Sequence, residues 1–178
     1  MERLRIIPEN DSELFLVHGD IGESRAEGIV NAWNRNFIPY WLLIPQGVSK
    51  SLKKHGGAAP FKELRKKGLL GLGEAVATSA GELEAQTIIH AAALHAYWRA
   101  SEKSVELAAR NSFALAAEMG LKELAIPLLG AGTGGLSEEK SFALIVKAWE
   151  EFSDRGPSRT DIYVFGEEAF GRLKASCC

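Results

Sequence analysis

Cysteine is nearly absent: this chain of 178 residues has two, Cys177 and Cys178, adjacent at its last positions. There they can neither cross-link a loop nor complete a tetrahedral zinc site, so stray oxidation is their expected chemistry. Long apolar runs are missing as well. No stretch approaches the roughly 18 continuous apolar residues of a membrane span, and Glu2, Arg3 and Arg5 leave no apolar signal core near the start. The cytoplasm is the expected address. A surplus of one charge is also lacking. The 21 basic and 23 acidic side chains give a formal charge of −2, too little positive charge to hold a long nucleic acid by counterion release. No G-x-S-x-G elbow occurs, and the four histidines suggest no nucleophile-base pair.

What remains is ordinary for a folded chain. Hydrophobic residues make up 46% and charged residues 25%, which argues against disorder, collagen-like repeats and coiled coils. The length suits one domain spanning 1–178. Short β-rich runs at 3–8, 13–18, 28–32, 75–79, 87–93, 123–129 and 161–165 alternate with helical patterns at 49–54, 59–67, 101–119, 137–152 and 167–174. This alternation predicts an α/β layered domain. Phe142, Ile145, Trp149 and Phe152 recur at helical spacing and belong to the core.

Three stretches carry possible chemistry. The apolar run ending at Leu129 opens into Gly130, Ala131, Gly132, Thr133, Gly134, Gly135 and Leu136 before a helix. Glycines let backbone N–H groups approach a phosphate, and the following helix offers its positive end, so an anion can be held without lysine. Gly130, Gly132 and Gly135 also fit G-x-G-x-x-G, the mark of a nicotinamide-dependent oxidoreductase. Against that reading, the motif comes late and too little chain follows for two mononucleotide halves. Leu136 stands where a Walker loop needs lysine.

The second stretch is Gly19-Asp20-Ile21, where a carboxylate after a strand either accepts a hydrogen bond from an exocyclic amine or caps a turn. The third is Asn31 with Asn34, which either contact the hydroxyls of a sugar or form Asx turns. Between Asn34 and Gly47 lies the apolar run 37–45, a lid, a subunit contact or, more simply, core packing.

In chain order, Gly19-Asp20-Ile21, the run Val30 to Asn34, Gly47-Val48 with Gly56-Gly57, Gly73-Glu74-Ala75, Ile88-Ile89-His90 and the glycine loop resemble a macrodomain, from about Val17 to Phe165. The resemblance implies a three-layer α/β/α fold with a central mixed sheet and a cleft for ADP-ribose. It further implies a ligand in the form of ADP-ribose or an ADP-ribosylated protein or nucleic acid, and no cofactor, metal or membrane. Asp20 looks like the acceptor for the adenine amine, with the Ile21 backbone beside it, and Phe165 like the aromatic that stacks on adenine. Gly130 through Leu136 and the pair Gly47-Val48 would flank the pyrophosphate, a grip that needs no basic patch. Asn34 would contact the distal ribose and fix the attacked carbon, with Asn31 a further ligand contact.

Three departures from the family pattern stand out. Ser49 follows Gly47-Val48 where hydrolytic members have a water-orienting aspartate, the run 37–46 replaces a glycine string, and Gly134 and Leu136 replace aromatic residues. The implied activity is hydrolysis of ADP-ribosyl conjugates, with Asn34 and Ser49 as catalytic candidates. A non-catalytic ADP-ribose reader is the alternative. A helix cap is the simpler reading of Ser49 and outweighs a catalytic one. His90 and His95 read as structural, and the lysines and arginines between Lys50 and Lys67 as a solvated face that could steer an anion.

Overall fold

The computed structural model of the chain describes residues 2–7, 12–35, 47–95 and 97–177. Its strands are β1 (Glu2–Ile7), β2 (Glu13–His18), β3 (Gly28–Trp33), β4 (Ala75–Ser79), β5 (Thr87–Ala92), β6 (Glu123–Pro127) and β7 (Arg159–Val164). The helices are α1 (Gly47–Gly56), α2 (Ala59–Lys66), α3 (Glu102–Glu118), α4 (Glu138–Glu150) and α5 (Glu167–Ser176), with short 3-10 turns at Ile21–Glu23 and Gly132–Gly134. Every expected strand and helix is present. The largest shifts are at ends: α1 starts at Gly47 instead of residue 49, β6 stops at Pro127, and β7 begins at Arg159.

The seven strands form one mixed sheet in the order β1-β2-β7-β6-β3-β5-β4. The five inner strands are parallel, and β1 and β4 are antiparallel edges. Helices cover both faces, which is why the inner strands read as nearly continuous apolar runs. Alternate side chains go to opposite sides. Leu14, Leu16, Val30, Ile89, Ala91, Leu124, Ile126, Ile162 and Val164 face α3, α4 and α5, packing on Phe113, Ile145, Trp149 and Phe170. Val17, Ile29, Ile88, Ala125 and Tyr163 face α1 and α2, packing on Leu52, Phe61 and Leu64. Ile145, Trp149 and Phe152 of the helical stripe are buried, and Phe142 packs at the margin.

One irregularity of the sheet makes room for a site. β3 and β6 are neighbours, yet their register runs only from Gly28↔Leu124 to Ile29↔Ala125. Their carboxyl ends, Trp33 and Pro127, lie beyond this pairing. The chain leaves β3 toward β5 on one side and returns as β6 on the other. A crevice outside the carboxyl ends of parallel strands at such a reversal is where open α/β sheets receive ligands.

Candidate functional site

Two connected lobes occupy that crevice. The first, of about 370 Å³, is lined by Gly19, Asp20 and Ile21 after β2, by Pro127, Tyr163 and Phe165 at the ends of β6 and β7, and by one side of α1. Asp20 caps the 3-10 turn at Ile21–Glu23 by accepting from the Gly22 N–H at 2.9 Å. Its Oδ1 also accepts from the Ser51 hydroxyl of α1. Both bonds fall on Oδ1, so Oδ2 is the oxygen on offer to a ligand. A Cβ at Gly22 would meet Ser51 Oγ at 2.2 Å, so only glycine lets α1 approach the turn this closely. Tyr163 is 6% exposed, and burial raises its phenol above the usual value. Phe165 is 82% exposed, with its ring at the mouth of the lobe.

The second lobe, of about 200 Å³, is lined by Ala32, Trp33 and Asn34 at the end of β3, by Gly47, Val48 and Ser49 of α1, by Leu94 and Trp98, and by Leu128 with Gly130 through Gly134. Gly47 and Val48 belong to both lobes and form the wall where they meet. The first-turn N–H groups of a helix have no partner inside it, and α1 has no acidic residue there. The turn at Gly132–Gly134 likewise opens with N–H groups of Gly132 and Thr133 that precede any partner within it. The lobe therefore lies between two rows of main-chain donors. Gly130, at φ +74°, is required for this: a Cβ there would meet Val105 Cγ2 at 2.6 Å and Ala100 Cβ at 2.7 Å.

A buried polar chain supports the start of α1. Ser49 Oγ donates to Asn31 Oδ1 at 2.8 Å, and the Asn31 amide N–H donates to His90 Nδ1 at 3.0 Å. With Nδ1 accepting, Nε2 carries the proton and donates to Thr78 Oγ1, 2.9 Å away. The Thr78 hydroxyl in turn donates to the Ser79 carbonyl at 3.0 Å. Burial pushes the His90 imidazole down to about 3, so it stays neutral. Because the Ser49 hydroxyl proton is committed to Asn31, its oxygen can only accept from a group in the lobe.

The structure sorts the expected site residues. Asp20, Ile21, Asn34, Gly47, Val48, Ser49, Gly130, Ala131, Gly132, Thr133, Gly134 and Phe165 all line one lobe or both. Asn31 does not. It is fully buried and spends its carboxamide on Ser49 and His90, which makes it a positioning residue behind the wall. Gly135 and Leu136 lie outside the lining, because their N–H groups close the loop on Gly132 and Gly130 and the Leu136 side chain packs on the core.

The expected help from α4 also fails. Its end is capped by Ser137 and carries Glu138 and Glu139, which Arg172 binds at 2.7 and 3.1 Å. The turn of this stretch that lines the second lobe is the 3-10 turn before it. The apolar run 37–46 lies outside the described residues. His95 and His90 are hydrogen-bonded as structural residues.

Sequence reasoning missed several lining residues. Tyr163 looked like an ordinary strand residue, Ser51 an ordinary helix residue, and Trp98 had no periodicity to place it. Lys50 was assigned with its neighbours to a solvated face, yet Lys50 and Lys54, one turn apart, both border the first lobe. Their i, i+4 spacing beside Gly47-Val48 was the available signal.

With this geometry in view, comparison with known proteins identifies the fold. The Macro domain profile matches residues 30–145, well over half of the chain. The chain belongs to the macro domain family. An uncharacterized protein of Sulfolobus acidocaldarius is 30% identical over 169 residues, 93% of this chain and 90% of its own length. The Oceanobacillus iheyensis macrodomain with ADP superposes with a TM-score of 0.82 at 22% identity, covering 98% of this chain and 94% of that one. A variant of the same macrodomain with ADPR gives 0.79 at 21% identity, covering 98% and 96%. This macro domain thus has the three-layer fold with a mixed central sheet that its sequence leads one to expect. Among the described residues, no helix is long and apolar enough to cross a membrane.

Proposed function

We propose that this macro domain binds ADP-ribose along the two-lobed cleft and hydrolyses ADP-ribosyl conjugates at the second lobe. The observation that carries the reading is that two lobes meet at Gly47-Val48, with main-chain donors of α1 and of the glycine turn on the second. In this reading, adenine enters the first lobe, its amine donating to Asp20 Oδ2 and its face against Phe165. The diphosphate crosses between the two rows of N–H groups, where oriented amides replace cationic side chains. The distal ribose then fills the second lobe beside Asn34 and Ser49. That the Oceanobacillus iheyensis macrodomain has been solved with ADP, and a variant of it with ADPR, supports ADP-ribose as the ligand class.

For catalysis, water attacks the anomeric carbon while the bond to the carrier breaks, and the bonding electron pair leaves with the carrier. The water proton goes to a pyrophosphate oxygen. Ser49 Oγ accepts from that water, since its proton is held by Asn31, and Asn34 fixes the sugar. Serine cannot act as the base that an aspartate would be. The second reading, a non-catalytic ADP-ribose reader, is favoured by one observation: no carboxylate is among the described residues of the second lobe.

Calorimetry with ADP-ribose, ADP and NAD tests binding. Asp20→Ala should cost about 1.5–3 kcal/mol, the loss of a charge-assisted hydrogen bond. A preference for NAD over ADP-ribose would sink the proposal. Incubation with ADP-ribosylated protein and ADP-ribosylated DNA, with Asn34→Ala alongside, separates enzyme from reader. Release of ADP-ribose that Asn34→Ala abolishes supports hydrolysis, and no release from either conjugate leaves the reader.

A further inference from the structure

We propose that Trp98, on the connection between β5 and α3, supplies the aromatic surface over the sugar end of the cleft and so makes the protein prefer ADP-ribose to ADP. The inference deepens the ADP-ribose reading above and rests on it. Trp98 is the one non-glycine among the described residues with a positive φ, at 61°. For a bulky side chain this is a true outlier, kept only where the surroundings impose it, and such residues gather at binding sites.

The surroundings do impose it. The Trp98 N–H donates to the His95 carbonyl at 3.0 Å, and the His95 N–H to the Arg99 carbonyl at 2.8 Å, while Leu94 and Ala100 pair across the turn. The whole connection is fastened to the glycine loop, because the Ala100 N–H donates to the Gly134 carbonyl at 2.9 Å. A Cβ on Gly134 would meet Leu94 Cδ2 at 2.9 Å and Ala100 Cβ at 3.0 Å. The room for a side chain at 134 is thus taken by this connection, which delivers its own ring instead.

That ring lines the second lobe near Trp33 and Asn34 and remains 38% exposed. It is absent from the first lobe. A flat indole face suits the C–H side of a furanose, and the sugar beyond the diphosphate is what ADP lacks. Ring contact at Trp98 therefore acts on one ligand and not on the other.

The test is calorimetry of wild type, Trp98→Ala, Trp98→Phe and Trp98→Gly with ADP-ribose and with ADP, and thermal unfolding of each. Trp98→Ala should weaken ADP-ribose by roughly tenfold, as loss of a stacking ring does, while ADP binding stays the same. Trp98→Phe should restore most of the difference. Trp98→Gly, which relieves the backbone, should bind ADP-ribose as poorly as Trp98→Ala and melt no lower than wild type. Equal losses for the two ligands, or unchanged ADP-ribose affinity, would overturn the assignment of Trp98 while wild-type binding leaves the ADP-ribose reading standing. Wild type that binds neither ligand overturns that reading, and this proposal with it.

Discussion

Two helices of this macro domain begin just beyond the carboxyl ends of parallel strands, α1 after β3 and α4 after β6, and their first turns have opposite fates. The first turn of α1 holds no acid and faces the cleft. That of α4 is capped by Ser137. It is also filled by Glu138 and Glu139, both bound to Arg172. The Glu139 carboxyl lies below the usual range, held there first by its own backbone N–H and then by Arg172. The macrodipole is common to both helices. A first turn already supplied with a hydroxyl cap and two carboxylates, as in α4, is poorly placed to take an anion from outside, whereas that of α1 carries no acid of its own.

The largest effect expected from breaking this contrast comes from Val48→Asp. A carboxylate near the diphosphate should cost about 3 kcal/mol of ADP-ribose affinity, from two like charges roughly 5 Å apart at an effective dielectric constant of about 20. The same change should alter stability little, the loss of Val48 packing on the core being offset by an acid at a helix N-terminus. Glu138→Gln on α4 should leave affinity alone. Calorimetry reads the affinities, and similar losses at the two helices would erase the distinction.

Next in size is the end of the cleft proposed for adenine, where Phe165 would act through its ring. Phe165→Ala should weaken ADP-ribose and ADP alike by about 1–3 kcal/mol, the worth of an aromatic platform. If only ADP-ribose is affected, Phe165 is at the wrong end of the ligand.

A smaller effect is expected beneath α1, where His90 supports Asn31 and Ser49. Its pKa falls from 6.5 to about 3 through burial. Between those values the unfolded chain holds a proton that the folded one does not, so stability rises with pH across the window and is complete above 6.5. His90→Gln should flatten urea-measured stability against pH by at most roughly 1.4 kcal/mol per unit. An unaltered slope would mean that His90 is protonated in the folded protein.

Ser137→Ala should have the smallest effect, lowering stability by about 1 kcal/mol through the lost cap. ADP-ribose affinity should be unchanged. Weakened binding would show that α4 reaches the ligand after all.

Most of the architecture was legible in the residues themselves. Val30 and Ile126 with their neighbours form short apolar runs, and Gly120 and Gly68 stop helices at φ +69° and +78°, so local chemistry alone marks the elements. That Asp20 caps a turn, and that Gly130 and Gly132 take positive φ in the loop lining the cleft, was also legible, because backbone approach and turn capping depend on residue type. The place of Asn31, buried behind the lobe and bonded to Ser49 and His90, was not legible. Nothing in the order of residues 30–34 says which carboxamide meets the lobe and which is consumed by His90, 59 positions away. Similarly, Leu136 belongs to the same loop as Gly132, but its N–H closes the loop on Gly130.

The sequence by itself determined which segments become strands and helices, and where glycine permits the main chain to expose its N–H groups, because these depend on side-chain size, polarity and spacing along the chain. Tertiary structure alone decided that β3 and β6 share only two positions of register, that α4 is closed by Arg172 from α5, and that Trp98 borders the same lobe as the start of α1. Each joins residues distant in the chain, and such contacts are set by the packing of layers on one sheet, which no local pattern encodes.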